Sequence, residues 1–164
     1  MKRLFLTIFL FPAFWPVDFV EKMSDKKKEN NVPFVEGAKK SELSVITKAK
    51  DLCSYIMTVT QKSPKQFRFS FVARMQNLAL SIIENLYRAN DIFVKKGDSI
   101  LISQRHNKQR EAMTDLRILG YFSMLAIEQK CILPKHYQII SEMIADCANL
   151  LVIWVASDKR RLQP

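Results

Sequence analysis

An evenly spaced set of apolar residues near the C-terminal end sets the first limit on how this chain folds. Tyr137, Ile140, Ile144, Cys147, Leu151 and Trp154 recur at intervals of 3, 4, 3, 4 and 3 residues. Each residue of an α-helix turns the chain through about 100°, so this spacing lines one stripe of a helix. A stripe that regular is made for packing between helices. Pro134 opens the segment at the first turn, where its missing N–H does no harm. Asp158-Lys159-Arg160-Arg161 closes it, placing cations at the negative end of the helix dipole.

The same rhythm recurs upstream. A first helix is predicted from Ser41, a plausible N-cap, to Thr60, with Ile46, Ala49, Cys53, Ile56 and Thr60 spaced 3, 4, 3 and 4. Ser63-Pro64 then signals a second start, and a helix is predicted to about Phe93. Its stripe is Phe71, Met75, Leu78, Ile82, Leu86 and Phe93, with Asn77, Ser81, Glu84, Arg88 and Asp91 mainly off it. Gly97 marks a turn or cap, and Ser99–Ile102 reads as extended or as a loose turn. A third helix is predicted over Ser103–Lys130, polar in its first half and then apolar at Met113, Leu116, Leu119/Gly120, Ser123 and Ile127. Gly120 inside it costs helix stability, and is expected where a neighbouring helix comes close. With only three glycines in 164 residues and no strand-like alternation, the chain is all-α. Short connections between the four helices predict an antiparallel up-down-up-down four-helix bundle over residues 41–161.

The first 22 residues do not belong to that pattern. Lys2-Arg3 precedes an apolar run from Leu4 to Val17 that is short for a membrane span and is interrupted by Pro12 and Pro16. No small-residue cleavage site follows it. We therefore expect Met23 to be the start of translation and residues 1–22 to be an apolar leader that is not translated. Residues 23–40 are polar and lysine-rich, and are expected to be a disordered arm.

Charge points to a partner. Lys and Arg number 26 against 16 Asp and Glu, a net of +10, and +9 remains without residues 1–22. Such an excess favours polyanions. The cations gather in three groups: Lys62, Lys65, Arg68 and Arg74; then Lys95, Lys96, Arg105, Lys108, Arg110 and Arg117; then Lys159, Arg160 and Arg161. They predict an extended basic band that holds the phosphates of RNA or DNA without reading bases. Phe67, Phe69 and Tyr121 are of a type that stacks on bases, but core packing is the expected role.

Signals of catalysis are missing. The chain has no phosphate-binding glycine loop, nucleophile elbow or H-E-x-x-H motif. His106 lies among cations in QRHNKQR and is expected to be a solvated helix residue. Glu84 and Glu128 form a weak candidate for a carboxylate pair, and the E-x-x-H pattern of di-metal bundles is absent. His106 and His136 are far apart, and Cys53, Cys131 and Cys147 form no C-x-x-C pair, so neither metal nor cofactor is expected. Three unpaired cysteines suit a reducing compartment, and the expected location is cytoplasmic, with a membrane role disfavoured.

Several segments resemble one family. Lys62-Ser63-Pro64-Lys65, Phe67-Arg68 and Val72-x-x-Met75-x-x-Leu78-x-x-x-Ile82 are similar to the four-helix bundles that include the accessory variability determinant (Avd) of diversity-generating retroelements and proteins encoded in intervening sequences of 23S ribosomal RNA genes. Leu116-x-x-Leu119-Gly120-Tyr121, Ile132-Leu133-Pro134-Lys135-x-Tyr137 and Leu150-Leu151-x-x-Trp154-x-x-Ser157-Asp158 resemble the retroelement branch. The resemblance spans about residues 43–161 and rests mostly on packing and turn positions. It implies a non-enzymatic bundle that self-associates as a pentamer and binds a reverse transcriptase and nucleic acid during mutagenic cDNA synthesis. Two alternatives stand beside it: a stand-alone intervening-sequence or mobile-element bundle that binds RNA or protein, and a membrane-associated helical protein.

Overall fold

Stripes of the kind found in the sequence bury themselves only when several helices supply them together. In the computed structural model, which describes residues 37–95 and 97–162, four long helices do so. The described residues belong to one of two units, Val35–Pro164. Residues 1–22, most of the 23–40 arm and Lys96 lie outside the described residues. The helices are α1 (Gly37–Thr60), α2 (Ala73–Asp91), α3 (Ser99–Glu128) and α4 (Pro134–Leu162). No strand occurs among the described residues.

Helix boundaries depart from the sequence reading in four places. First, α1 begins at Gly37, so Ser41 lies inside it rather than capping it. The intervening Ala38, Lys39 and Lys40 are good helix formers, and nothing among them breaks the chain. Second, α2 is preceded by a 3-10 turn, Lys65–Phe67, and a π-helical turn, Arg68–Val72. Ser63 caps neither; its hydroxyl donates across the fold to the Cys131 carbonyl at 2.7 Å. Third, α2 stops at Asp91, and Phe93, 76% exposed, falls outside its buried stripe. Fourth, Ser99–Ile102 is helical. The Asp98 carboxylate accepts the Leu101 N–H at 3.0 Å and caps α3 four residues before the predicted start. Gly97 precedes this cap at φ +89°, a conformation that glycine adopts without a steric penalty.

The C-terminus of α3 is closed by a Schellman motif. The Cys131 N–H bonds to Ala126 O at 2.8 Å, and the Lys130 N–H bonds to Ile127 O at 2.8 Å. Lys130 takes the left-handed position at φ 56°, which is normally glycine's.

One core collects all four stripes. Val45, Leu52 and Ile56 of α1 meet Met75, Ile82 and Leu86 of α2, Leu116 and Leu119 of α3, and Ile140, Leu151 and Trp154 of α4. Helix α1 packs mainly on α2 and α4, and α3 packs mainly on the same two. Polar contacts identify which ends meet. At one end, the Ser63–Cys131 bond, Gln76 Nε2 to Thr60 Oγ1 at 2.9 Å and Tyr55 Oη to His136 Nδ1 at 2.8 Å join the α1–α2 and α3–α4 connections. At the other, Arg105 reaches Ile92 O at 3.3 Å and Asp158 at 2.9 Å, joining the α2–α3 connection, the start of α3 and the end of α4.

Gly120 marks no unusually close helix contact. A Cβ built there would meet Ile144 Cδ1 at 3.8 Å, ordinary van der Waals distance.

Candidate nucleic-acid interface

The stripe on α3 runs further than apolar residues reveal. Its buried positions are Arg105, Gln109, Ala112, Leu116, Leu119, Ser123 and Ala126, a 4, 3, 4, 3, 4, 3 rhythm that passes through the polar half of the helix. On α4 the stripe likewise continues four residues past Trp154 to Asp158. The two continuations meet. Asp158 is 0% exposed; its carboxylate accepts Gln109 Nε2 at 2.8 Å and Arg161 Nη2 at 2.6 Å, and forms an ion pair with Arg105, whose Nε lies 2.9 Å away. The Arg105 guanidinium carbon lies 5.0 Å from the Trp154 ring centroid, over an electron-rich face that attracts a cation.

This corrects the site prediction for Arg105. At 7% exposure and bound to Asp158, it is a structural group and not a surface phosphate ligand. Arg161 is half-engaged in the same cluster. A buried carboxylate demands cationic partners, and these two arginines are placed to supply them. His106 is also half-buried rather than solvated. Burial, first, lowers its pKa, with Lys159 and Arg105 adding to that and Asp158 opposing it.

Among the described residues, the remaining predicted cations are exposed or half-exposed, but they are not equivalent. Lys108 is tied to Glu111 at 2.6 Å, and Arg110 donates to Asn107 at 2.8 Å. Lys65, Arg68, Arg74, Lys95, Arg117, Lys159 and Arg160 form no ion pair among the described residues. The Arg105–Asp158 contact draws the second and third sequence groups, Lys95 with Lys159 and Arg160, to one end of the fold. Lys65 and Arg68 lie at the other, joined there by Lys62, Lys130 and Lys135. Lys130 and Lys135 escaped the sequence reading because they sit in a different connection and meet the first group only through tertiary contact.

Between the ends, α2 and α3 flank a shallow, open polar depression of about 370 Å3 lined by Ser81, Asn85, Arg110, Glu111, Thr114 and Asp115. The Asp115 carboxylate accepts Ser81 Oγ at 2.7 Å and Asn85 Nδ2 at 3.2 Å. Glu84 pairs with Arg88 one turn along the surface, and Glu128 is exposed at the end of α3, so the two are not drawn into one site. The three cysteines are free and buried. Burial, first, pushes the Cys147 thiol up to about 12. No group of His, Cys, Asp and Glu suited to a metal ion occurs among the described residues.

The three aromatics divide. Phe67 is half-buried and stacks edge-on against Phe71, whose ring in turn meets Phe122. Tyr121 is exposed, and Phe69 is 96% exposed, so core packing is not the role of either.

No family model matches the chain. No curated protein and no solved structure matches it either.

Proposed function

We propose that this chain is a non-enzymatic, cytoplasmic accessory protein that binds RNA or DNA through its phosphates, folded as an up-down-up-down bundle. The observation that carries this reading is the set of exposed cations without carboxylate partners at both ends of the helices: Lys62, Lys65, Arg68, Lys130 and Lys135 at one, and Lys95, Lys159 and Arg160 at the other. Unneutralised surface cations release counterions from a polyanion when they bind it. The contacts Ser63–Cys131 and Arg105–Asp158 support the up-down-up-down order, because the first joins the α1–α2 and α3–α4 connections and the second joins the start of α3 to the end of α4, as such an order requires. The resemblance to Avd extends the proposal to a partner, a reverse transcriptase, and to self-association as a pentamer.

The test is binding of a labelled RNA and the matching DNA as salt is raised. We expect affinity to fall steeply with salt, and Lys65→Glu/Arg68→Glu or Lys159→Glu/Arg160→Glu to weaken it with helicity unchanged. Arg105 is left intact in these variants, since reversing a buried, paired charge would confuse unfolding with lost binding. Absence of binding at low salt refutes the reading. Light scattering after size exclusion, with and without the reverse transcriptase, tests the partner and the oligomer.

A membrane-associated reading has one observation in its favour: the segment Pro134–Arg161 is long and apolar enough to cross a bilayer, with 28% of its most apolar window buried. Against it, the same helix gives Ile140, Leu151 and Trp154 to the core and carries the buried Asp158. Fractionation of the native protein separates the two.

A further inference from the structure

The end of the fold that joins the α1–α2 and α3–α4 connections holds more than charge. Lys62, Lys65, Arg68, Lys130 and Lys135 are all exposed there, and Glu128 is the one exposed carboxylate in those two connections and their flanking turns among the described residues. Phe69 projects from the same end.

Its exposure has a local cause. Phe67 and Phe71 are four residues apart and share a face, with ring centroids 5.8 Å apart, and Phe71 continues inward to Phe122 at 6.1 Å. Phe69 lies midway between them in sequence, so the helical turn points it the opposite way. The backbone around it is the π-helical turn Arg68–Val72, a rare and poorly propagating geometry that often accompanies functional positions. The outcome is a phenylalanine 96% exposed, next in sequence to an exposed arginine and four residues from an exposed lysine.

Resting on the nucleic-acid reading above, we propose that this end binds single-stranded nucleic acid, with an unpaired base stacked on Phe69 and flanking phosphates held by Lys62, Lys65, Arg68, Lys130 and Lys135. A flat aromatic among cations matches an unstacked base between phosphates, whereas duplex bases present no free face to it. The apolar component is small: apart from Phe69, Leu133 is 56% exposed and lines a hollow of about 180 Å3 with Thr58, Val59, Lys62, Ile132 and His136. That is little for insertion into a bilayer, where stable anchoring needs a larger apolar face or a second signal.

The experiment measures binding of the full chain to mixed-sequence single-stranded DNA, the same RNA sequence, the corresponding duplexes, and vesicles containing anionic phospholipid. Wild type, Phe69→Ala and Phe69→Trp are compared, with helicity checked for each. We expect single strands to be preferred, with a salt slope of roughly −3.5 if five phosphates are neutralised. Phe69→Ala is expected to weaken single-strand binding by about 5- to 150-fold, the range for losing one stacked base, with duplex binding and salt slope unchanged. Phe69→Trp is expected to restore it. Equal single-strand affinity of Phe69→Ala and wild type overturns this inference while leaving general phosphate binding standing. A preference for duplex overturns it in the same way, as does a Phe69 requirement seen on vesicles alone. Failure of wild type to bind any nucleic acid at low salt overturns the underlying reading as well.

Discussion

Replacing Asp158 with alanine is expected to destabilise this protein by about 3–5 kcal/mol, the usual cost of breaking a buried ion pair from one side. The magnitude follows from what the carboxylate leaves behind. Arg105 is 7% exposed and would keep its charge without its 2.9 Å partner. Gln109 is also buried and would lose its 2.8 Å acceptor, adding about 1–3 kcal/mol if no replacement reaches it. Arg161, with a third of its side chain exposed, contributes little because water screens it. Relief as neighbouring side chains relax brings the total into the stated range, a large part of a domain's typical 5–15 kcal/mol. Urea unfolding followed by circular dichroism measures it through the transition midpoint. The sharper assay is a double-mutant cycle with Arg105→Met, an apolar residue of similar length. If the penalty comes from a stranded charge, Asp158→Ala should cost much less in the Arg105→Met background than in wild type. A loss below about 1 kcal/mol for Asp158→Ala, or equal losses in the two backgrounds, would refute the reasoning.

Three further outcomes test other parts of the structure. Gly120→Ala should stabilise the fold by about 0.5–1 kcal/mol in the same urea assay, since a helical glycine is replaced where the new methyl group has room beside Ile144. His106 has a folded-state pKa below its ordinary 6.5, so the unfolded chain binds the proton first as pH falls. Stability should therefore drop as pH falls below that value and level off once the folded-state pKa is passed; Tm measured against pH should show a shallower acid slope for His106→Gln. Cys53, Cys131 and Cys147 are all buried with thiol pKa values raised by that burial, so a thiol reagent at neutral pH should label the native protein slowly and the urea-unfolded protein at all three positions.

Much of the fold is legible without coordinates, and particular residues show why. Ile140, Cys147, Leu151 and Trp154 are buried as their spacing predicts, and so are Met75, Leu78, Ile82 and Leu86. Burial of an apolar helix stripe is a local consequence of geometry and of the free energy of removing that stripe from water, so periodicity reports it. Polar members of the same stripes were not legible. Arg105, Gln109 and Asp158 keep the rhythm, but a charged residue at a stripe position is read as an interruption until its partner is known.

The helical class, the four apolar stripes and the excess of positive charge can be read locally, because each depends on neighbours a few residues apart or on a simple sum. Which cations are available follows from the packing of the helices. Arg105 was withdrawn into the Asp158 cluster, and Lys130 and Lys135 were brought to the same end of the fold as Lys62, Lys65 and Arg68. Those outcomes depend on residues that are distant in the chain and meet only when the helices pack. Electrostatic pairing and solvent exposure are properties of that packed arrangement, and no local pattern contains them.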